Sequence, residues 1–235
     1  MIQNGEHVMK RLLTCFLGPL LYTGLLTQAG ATIISGEVTV GTGDFVLLDP
    51  VFTESSPDNT VGNNTFQTNN LYGFNEDQNI SLFDDLNVDI LADGAGGGSG
   101  PGILSTGSMV ASHYIFFDPR RSTSQVGRVT FDSDILGILT STSNLAASDF
   151  LINNNVTYLN PRLRGLEAND SVAITGSNEI EVDWRASSPG DYIRVLTAYS
   201  PEEPPTAAVP EPSTLALLSI GLLGLFGLLR RRAVA

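Results

Sequence analysis

The chain has 235 residues, of which 25 are acidic and 12 are basic, and this gives a formal net charge of −13 at pH 7. Such an acidic surface repels nucleic acid and anionic membranes, so the composition excludes nucleic acid as a partner. A single cysteine, Cys15, excludes an intramolecular disulfide framework.

Residues 1–31 have the pattern of a secretory signal peptide. A basic pair precedes a mostly apolar run, and Ala29 and Ala31 form the small-x-small site after which cleavage is expected. The first eight residues add nothing to this pattern, so Met9 is an alternative start. A first transmembrane helix is the other interpretation, and the Ala-x-Ala site argues against it. The N-terminus therefore predicts export.

Residues 32–199 are predicted to form one all-β domain, an antiparallel β-sandwich or jelly roll. Apolar and polar residues alternate along residues 34–40, 86–90 and 179–185, which is the pattern of strands with one buried face. Residues 110–117 are apolar on both faces and predict a central strand covered on both sides. Turn-forming residues separate at least seven such segments, as in sandwiches and jelly rolls.

Within this domain, helix is predicted in two short segments only. Residues 143–151 have the composition of two helical turns capped by Ser143, and residues 134–139 are predicted as another short piece. The glycine-rich residues 94–102 are predicted to be a long loop within one domain. A boundary between two domains is the alternative, but the residues before it would form a marginal core alone.

The region between the two terminal segments is poor in catalytic side chains. Residues 32–209 contain 23 acidic residues against seven arginines and no lysine, which gives a net charge of −16, and they contain no cysteine. His113 is the only histidine there, and it alternates with apolar residues on a strongly apolar strand. It is therefore predicted to be a packed or hydrogen-bonded core histidine. No nucleophile-elbow, Walker or dinucleotide motif occurs, so we expect a protein that is not an enzyme.

Calcium is the one ion that the sequence suggests, and no other cofactor is expected. The candidate ligands precede or enter the glycine-rich stretch and are Asp84, Asp85, Asp89 and Asp93. Carboxylates are hard oxygen ligands of the kind Ca²⁺ takes, and flexible glycines let backbone carbonyls join them. The spacing is not that of an EF-hand, and Asp89 also alternates with apolar residues, as an ordinary solvent-facing strand residue would.

Carbohydrate is the alternative target of the β domain. A carbohydrate-binding module would show exposed aromatic side chains in one plane, and Tyr72, Phe74 and Tyr158 are the candidates. A carbohydrate-active enzyme would instead need two facing carboxyl groups in a cleft. Three acids of residues 179–183 share one strand face, where an ordinary solvated surface is the simpler interpretation.

The C-terminal segment has three parts in a fixed order. Residues 200–209 are a proline-rich linker, which favours an extended spacer. Residues 213–229 carry no charge and would span about 26 Å as a helix, at the short end of a transmembrane span. The basic residues that follow, expected to stay on the cytoplasmic side, are Arg230, Arg231 and Arg232.

This order closely resembles the PEP-CTERM sorting signal of bacterial exported proteins, which would occupy residues 210–235. The tripeptide of that signal matches Pro210, Glu211 and Pro212, followed by the apolar run and the arginines. The resemblance implies recognition by an exosortase, a membrane-embedded processing enzyme. It also implies a transient anchor in the inner membrane, followed by release to the cell envelope or outside, where extracellular polysaccharide is a further partner to consider. A permanent single-span anchor is the alternative.

Overall fold

The computed structural model describes residues 32–48, 60–62 and 65–199. The strands before the glycine-rich stretch are β1 (Ile33–Val40), β2 (Phe45–Leu47), β3 (Thr60–Val61), β4 (Leu71–Asn75), β5 (Ile80–Ser81), β6 (Leu86–Val88) and β7 (Ile90–Leu91). Those after it are β8 (Gly102–Leu104), β9 (Met109–Phe117), β10 (Thr123–Phe131), β11 (Ile135–Leu139), β12 (Thr157–Tyr158), β13 (Ser171–Gly176), β14 (Glu179–Ala186) and β15 (Asp191–Ala198). One helix, α1 (Thr142–Ala147), and two 3₁₀ turns, Asp149–Leu151 and Pro161–Leu163, complete the elements of the described residues.

Two sheets form the body of the fold. A four-stranded antiparallel sheet has the order β1-β10-β14-β13, and a seven-stranded sheet has the order β2-β4-β9-β15-β11-β7, with β5 also paired to β9. The prediction of an all-β sandwich is confirmed. It is not wholly antiparallel, because β2 joins β4 in parallel and the small β12-β3 pair is also parallel. Strands from both sides of the glycine-rich stretch belong to the seven-stranded sheet.

The first core lies between the two sheets. Along β14 the side chains of Ile180, Val182 and Trp184 are buried in it, whereas Glu181 faces outward and pairs with Arg128 of β10. This alternation confirms the strand predicted over residues 179–185. A period of two places one set of side chains on each face of the sheet, so one face of β14 is buried in the core and the other faces solvent.

A second core covers the other face of the seven-stranded sheet. Alternate residues of β9 and β15, among them Tyr114, Phe116 and Tyr192, pack there against loop segments and against Leu145 of α1. β9 is buried from Val110 to its end, which confirms the prediction of a strand covered on both sides. The seven-stranded sheet is thus the middle of three layers.

Two of the helix predictions need correction. The prediction of a helix over residues 134–139 is wrong, because residues 135–139 form β11, which lies between β15 and β7. Both faces of β11 are largely buried, so a short apolar run carried no period that could separate strand from helix. Helix α1 is capped by Ser141 and not by Ser143, since the Ser141 hydroxyl accepts a hydrogen bond from the backbone N–H of Asn144.

Candidate functional site

Asp89 lies directly after β6 and holds the start of α1. Its Oδ2 accepts hydrogen bonds from the backbone N–H groups of Thr140 and Ser141, at 2.6 and 2.8 Å, and from the Ser141 hydroxyl at 3.1 Å. Its Oδ1 accepts from the side-chain amide of Asn144 at 2.8 Å. A carboxylate at this place satisfies donors that a helix start leaves free. Asp89 is therefore engaged inside the protein.

Two other predicted calcium ligands organise turns. Asp85 accepts hydrogen bonds from the backbone N–H and the hydroxyl of Thr106, and these bonds lower the pKa of the Asp85 carboxyl. Asp93 accepts from the backbone N–H groups of Gly97 and Ala95, and these bonds lower its pKa likewise. Asp85 thereby ties its own loop to the loop at Thr106, whereas Asp93 closes the turn of residues 93–97.

The structure does not bring the four predicted ligands together. Asp84 is exposed, and the other three are each bonded to a different part of the chain. Among the residues that the structure describes, no group of three or more His, Cys, Asp and Glu side chains is placed to hold a metal ion. Calcium binding stays a prediction, and it has no preformed site in this part of the chain.

His113 on β9 is completely buried, as predicted. Its Nδ1 lies 2.8 Å from Oδ1 of Asn75 on β4, and its Nε2 lies 3.0 Å from the hydroxyl of Thr197 on β15. Burial lowers the pKa of His113 to about 3, because a charged ring would lose its hydration there. The histidine is neutral, bonded at both nitrogens and shielded from solvent, so it has the geometry of a structural residue.

The three aromatic residues suggested for carbohydrate binding do not form an exposed plane, so that suggestion is wrong. Tyr72 and Phe74 are buried in the second core, where the Tyr72 ring stacks on Phe116 with centroids 5.1 Å apart. Tyr158 is partly buried against the same cluster, with its ring at 86° to that of Tyr114. These rings contribute packing between β4, β9 and the covering loops.

Arg194 on β15 is a fully buried charged residue in the middle of the second core. Its Nε and one terminal nitrogen donate to the two carboxylate oxygens of Glu76 at 2.6 and 2.8 Å, and both side chains are fully buried. The other terminal nitrogen donates to the Leu145 carbonyl and the Ser148 hydroxyl, and Ser112 donates to Glu76 at 2.6 Å. Through its ion pair with Glu76 and these four hydrogen bonds, Arg194 ties β15 to the loop after β4 and to α1.

A cavity of about 250 Å³ opens at one end of the sandwich. It lies where the turn from β14 to β15 meets the segment 162–167 and the start of α1. Gly190 forms that turn with a φ of +96°, and a Cβ there would lie 2.6 Å from the Phe117 carbonyl oxygen, so only glycine fits. Asp191, the first residue of β15, follows it, is almost wholly buried and is among the residues that line the cavity.

The cavity was not predicted from the sequence, although the sequence contained one indication of it. Asp191 stands two and four residues before Ile193 and Val195, so a period of two places it on their face. Both of those residues lie in the core between the sheets. An acid on an apolar strand face is uncommon, and it is the observation that could have pointed here.

The terminal predictions lie outside the described residues. These are the signal cleavage site at Ala29 and Ala31, the tripeptide at 210–212, the apolar run at 213–229 and the arginines at 230–232. Among residues 32–48, 60–62 and 65–199, no helix combines the length and the apolar character needed to cross a membrane.

Comparison with known proteins identifies a family model that matches the C-terminal segment. Residues 208–232 match the family model described as the PEP-CTERM protein-sorting motif. This match covers the tripeptide, the apolar run and the arginines that carried the resemblance in the sequence. No curated protein and no solved structure matches the chain.

Proposed function

Because the chain carries a PEP-CTERM protein-sorting motif, which indicates an exported protein targeted to an exosortase, we propose that it is a non-enzymatic component of the cell envelope or the extracellular polysaccharide matrix. An exosortase-type enzyme of the inner membrane recognises Pro210, Glu211 and Pro212. The apolar run of residues 213–229 anchors the chain until that enzyme removes it. The β domain is then released on the outer side.

The chemistry of the described side chains supports the non-enzymatic part of the proposal. His113 is buried and bonded at both nitrogens, and Glu76 is bound to Arg194 and Ser112. A general base must reach a substrate proton, and both of these side chains are fully buried. Asp89 is likewise occupied by donors of its own fold.

The matrix part of the proposal is supported by charge. Residues 32–209 are predicted to carry a net charge of −16, and one exposed face of the sandwich presents Glu181 and Asp183 of β14. A strongly acidic surface keeps a protein soluble and monomeric outside the cell. Carbohydrate recognition by a plane of exposed aromatics gains no support, because the rings suggested for it pack in the core.

The sorting step is tested by fractionation and intact-mass analysis in a host that contains an exosortase. The wild-type protein is expected to be released without residues 215–235. A variant with Pro210, Glu211 and Pro212 replaced by alanine should keep its tail and stay in the membrane fraction. Replacing the linker residues Pro204 and Pro205 by alanine is the matched control and should leave processing intact. A released wild-type chain is inconsistent with a permanent anchor, whereas a wild-type mass that still includes residues 215–235 would overturn the proposal.

A further inference from the structure

The turn that leads into β13 carries a motif that the sorting function does not use. Residues 167–171 read Glu-Ala-Asn-Asp-Ser. An asparagine two residues before a serine or threonine, with no proline between them, is the acceptor sequence for N-linked glycosylation. Bacterial oligosaccharyltransferases also require an acid two residues before the asparagine, and Glu167 occupies that position. Residues 167–171 therefore satisfy the longer, bacterial form of the motif.

The fold places this motif on a β-turn at the protein surface. The backbone N–H of Asp170 donates to the Glu167 carbonyl at 3.1 Å, and the N–H of Glu167 donates to Oδ2 of Asp170 at 3.2 Å. These two bonds close the turn around Ala168 and Asn169, which are both exposed. Ser171, at the start of β13, is exposed as well. The acceptor residue and the hydroxyl residue of the motif are thus both at the surface.

The position of β13 lets an enzyme take hold of the backbone on this side of the turn. β13 is an end strand of the four-stranded sheet, and in the described part of the chain it pairs only with β14. The first residues of a strand held from one side open locally at low cost. The Asp170 side chain accepts from the backbone N–H of Arg185 at 2.7 Å and has to be released with them. No core residue needs to move.

Two other acceptor sequences of the chain lack the acid. Asn63, which begins Asn-Asn-Thr, has Val61 two positions before it. Asn155, which begins Asn-Val-Thr, is exposed but has Asn153 in that position. Exposure and the acid are therefore not combined at Asn155.

The remaining acceptor sequence has the acid but lies inside the fold. Asp77 stands two positions before Asn79, whose side-chain oxygen is buried. The carbonyl of Asp77 accepts from the backbone N–H of Ser112 on β9 at 2.9 Å, and its N–H donates to the Leu151 carbonyl at 3.1 Å. An enzyme could bind this segment only after the fold had opened. Among the acceptor asparagines that the structure describes, Asn169 alone combines the acid with exposure.

We infer that Asn169 is an N-glycosylation site, which accepts an oligosaccharide from a polyprenyl pyrophosphate carrier on the outer side of the inner membrane. The inference rests on export, which the sorting motif indicates. In the reaction a bond forms between Nδ2 of Asn169 and C1 of the first sugar, and the bond from C1 to the pyrophosphate oxygen breaks. The pyrophosphate leaves with that electron pair, and the amide gives one proton to a base of the transferase. Nothing is oxidised or reduced.

Glycan transfer to the purified, folded full chain tests the site without requiring export or sorting. The chain is incubated in detergent with a single-subunit bacterial oligosaccharyltransferase, Mn²⁺ and a polyprenyl-pyrophosphate oligosaccharide of known mass. Trypsin then releases residues 165–185 as one peptide, because no lysine or arginine lies between Arg164 and Arg185. Asn169 begins the only acceptor sequence in this peptide, which we expect to gain the mass of one glycan.

Synthetic peptides of residues 165–173 and 75–83 measure how the enzyme accepts each acid-bearing sequence outside the fold. Both peptides should be glycosylated, whereas in the folded chain Asn169 should be modified and Asn79 should not. Failure of transfer to peptide 165–173, or transfer to that peptide but not to the folded chain, would overturn the inference. Transfer to Asn79 in the folded chain would overturn it too, because the fold would then not select the site.

The variant Glu167→Gln separates recognition of the acid from exposure alone. The turn uses backbone groups of Glu167 and not its carboxylate, so the variant should fold as the wild type does. Transfer to Asn169 should fall by about tenfold or more, because a charge-assisted contact with the enzyme is lost. Equal transfer to the variant and the wild type would contradict the role of the acid.

Two asparagine substitutions complete the comparison. Asn169→Gln should abolish the modification of peptide 165–185. Asn155→Gln removes an exposed acceptor without the acid, and as the matched control it should leave that modification unchanged. A glycan that remains on peptide 165–185 of Asn169→Gln would refute the assignment. Because no exosortase takes part, failure of this experiment and failure of the sorting proposal are separate results.

Discussion

Arg194 and Glu76 are 118 positions apart in the sequence and form a two-point ion pair whose side chains are both completely buried. The pair stands in the second core, among the aromatic side chains that cover one face of the seven-stranded sheet. The Arg194 guanidinium lies 5.7 Å from the centre of the Tyr114 ring. Such a pair holds its surroundings in one arrangement, because neither charge can be left alone in an apolar core.

The first prediction concerns this ion pair. Glu76→Gln leaves Arg194 charged and buried, with only the partly exposed Asp149 carboxylate, 3.7 Å away, as a counter-ion, and it should lower the free energy of unfolding by about 3–5 kcal/mol. Denaturant unfolding followed by circular dichroism measures the loss. Glu181→Gln is the matched control, because the pair of Glu181 with Arg128 is exposed and should change stability by less than about 1 kcal/mol. Equal effects of the two substitutions would contradict a special role of the buried pair.

The second prediction concerns His113 and acid. The folded protein holds this ring neutral with a pKa of about 3, while the unfolded chain has the ordinary value of 6.5. Between these values the unfolded state binds more protons, so stability contributed by His113 is present above pH 6.5 and is lost as pH falls towards 3. His113→Gln should therefore show a shallower loss of stability from pH 6.5 to 4 than the wild type. Parallel curves for the two proteins would refute the assignment.

The third prediction concerns Asp191 and alkali. Its pKa of about 8 lies above the ordinary 3.8, so the folded state binds the proton more tightly than the unfolded state. The stability contributed by protonated Asp191 is present at pH 4 and is lost as pH rises towards 8. Asp191→Asn should remove this decline and be more stable than the wild type at pH 8. Asp183→Asn should keep the wild-type slope, and a decline that survives in Asp191→Asn would count against the prediction.

The fourth prediction separates structure from calcium at the acid-rich segment. Asp89→Ala leaves donors at the start of α1 without their acceptor and should cost about 2–3 kcal/mol of stability with or without Ca²⁺. Asp84→Ala removes an exposed acid and should cost less than about 0.5 kcal/mol. Melting curves of both variants and the wild type, each in excess Ca²⁺ and in chelator, give the comparison.

A calcium site would appear as a wild-type melting temperature that rises in excess Ca²⁺. If Asp84 is a ligand, Asp84→Ala should lose that rise while keeping its stability in chelator. Equal melting temperatures of the wild type in calcium and chelator would end the calcium hypothesis. Asp89→Ala alone cannot decide it, because that substitution also removes the acceptor for α1.

Much of the fold could be predicted from local pattern. Strand β14 could be predicted because every second residue is apolar, and β9 because it carries apolar residues on both faces. Residues 135–139 were not readable as β11, since a short run buried on both faces has no period. Their partners, Val195 on one side and Ile90 on the other, lie far along the chain, and pairing with them decides the strand.

The candidate site was less predictable than the fold. Asp84, Asp85, Asp89 and Asp93 are close in sequence, but proximity in sequence says little about where carboxylates point. Three of them bond different loops, and the described cavity uses none of them. Asp191 was visible as an acid on an apolar face, yet nothing in the sequence showed that Glu167 lies beside it.

By itself the sequence determined the sorting motif at residues 208–232 and the alternation of the strands, because both are properties of consecutive residues. The charge of a segment, the length of an apolar run and a period of two can all be read without knowing which distant residues lie nearby in the fold. Only the tertiary structure decided that Arg194 pairs with Glu76, that Asp89 holds α1 and that Asp191 is buried beside Glu167 and Asp170. These contacts depend on which atoms the folded strands and turns bring within hydrogen-bonding distance. Burial then determines the free-energy cost of leaving a charged side chain unpaired, and it shifts the pKa of the side chain.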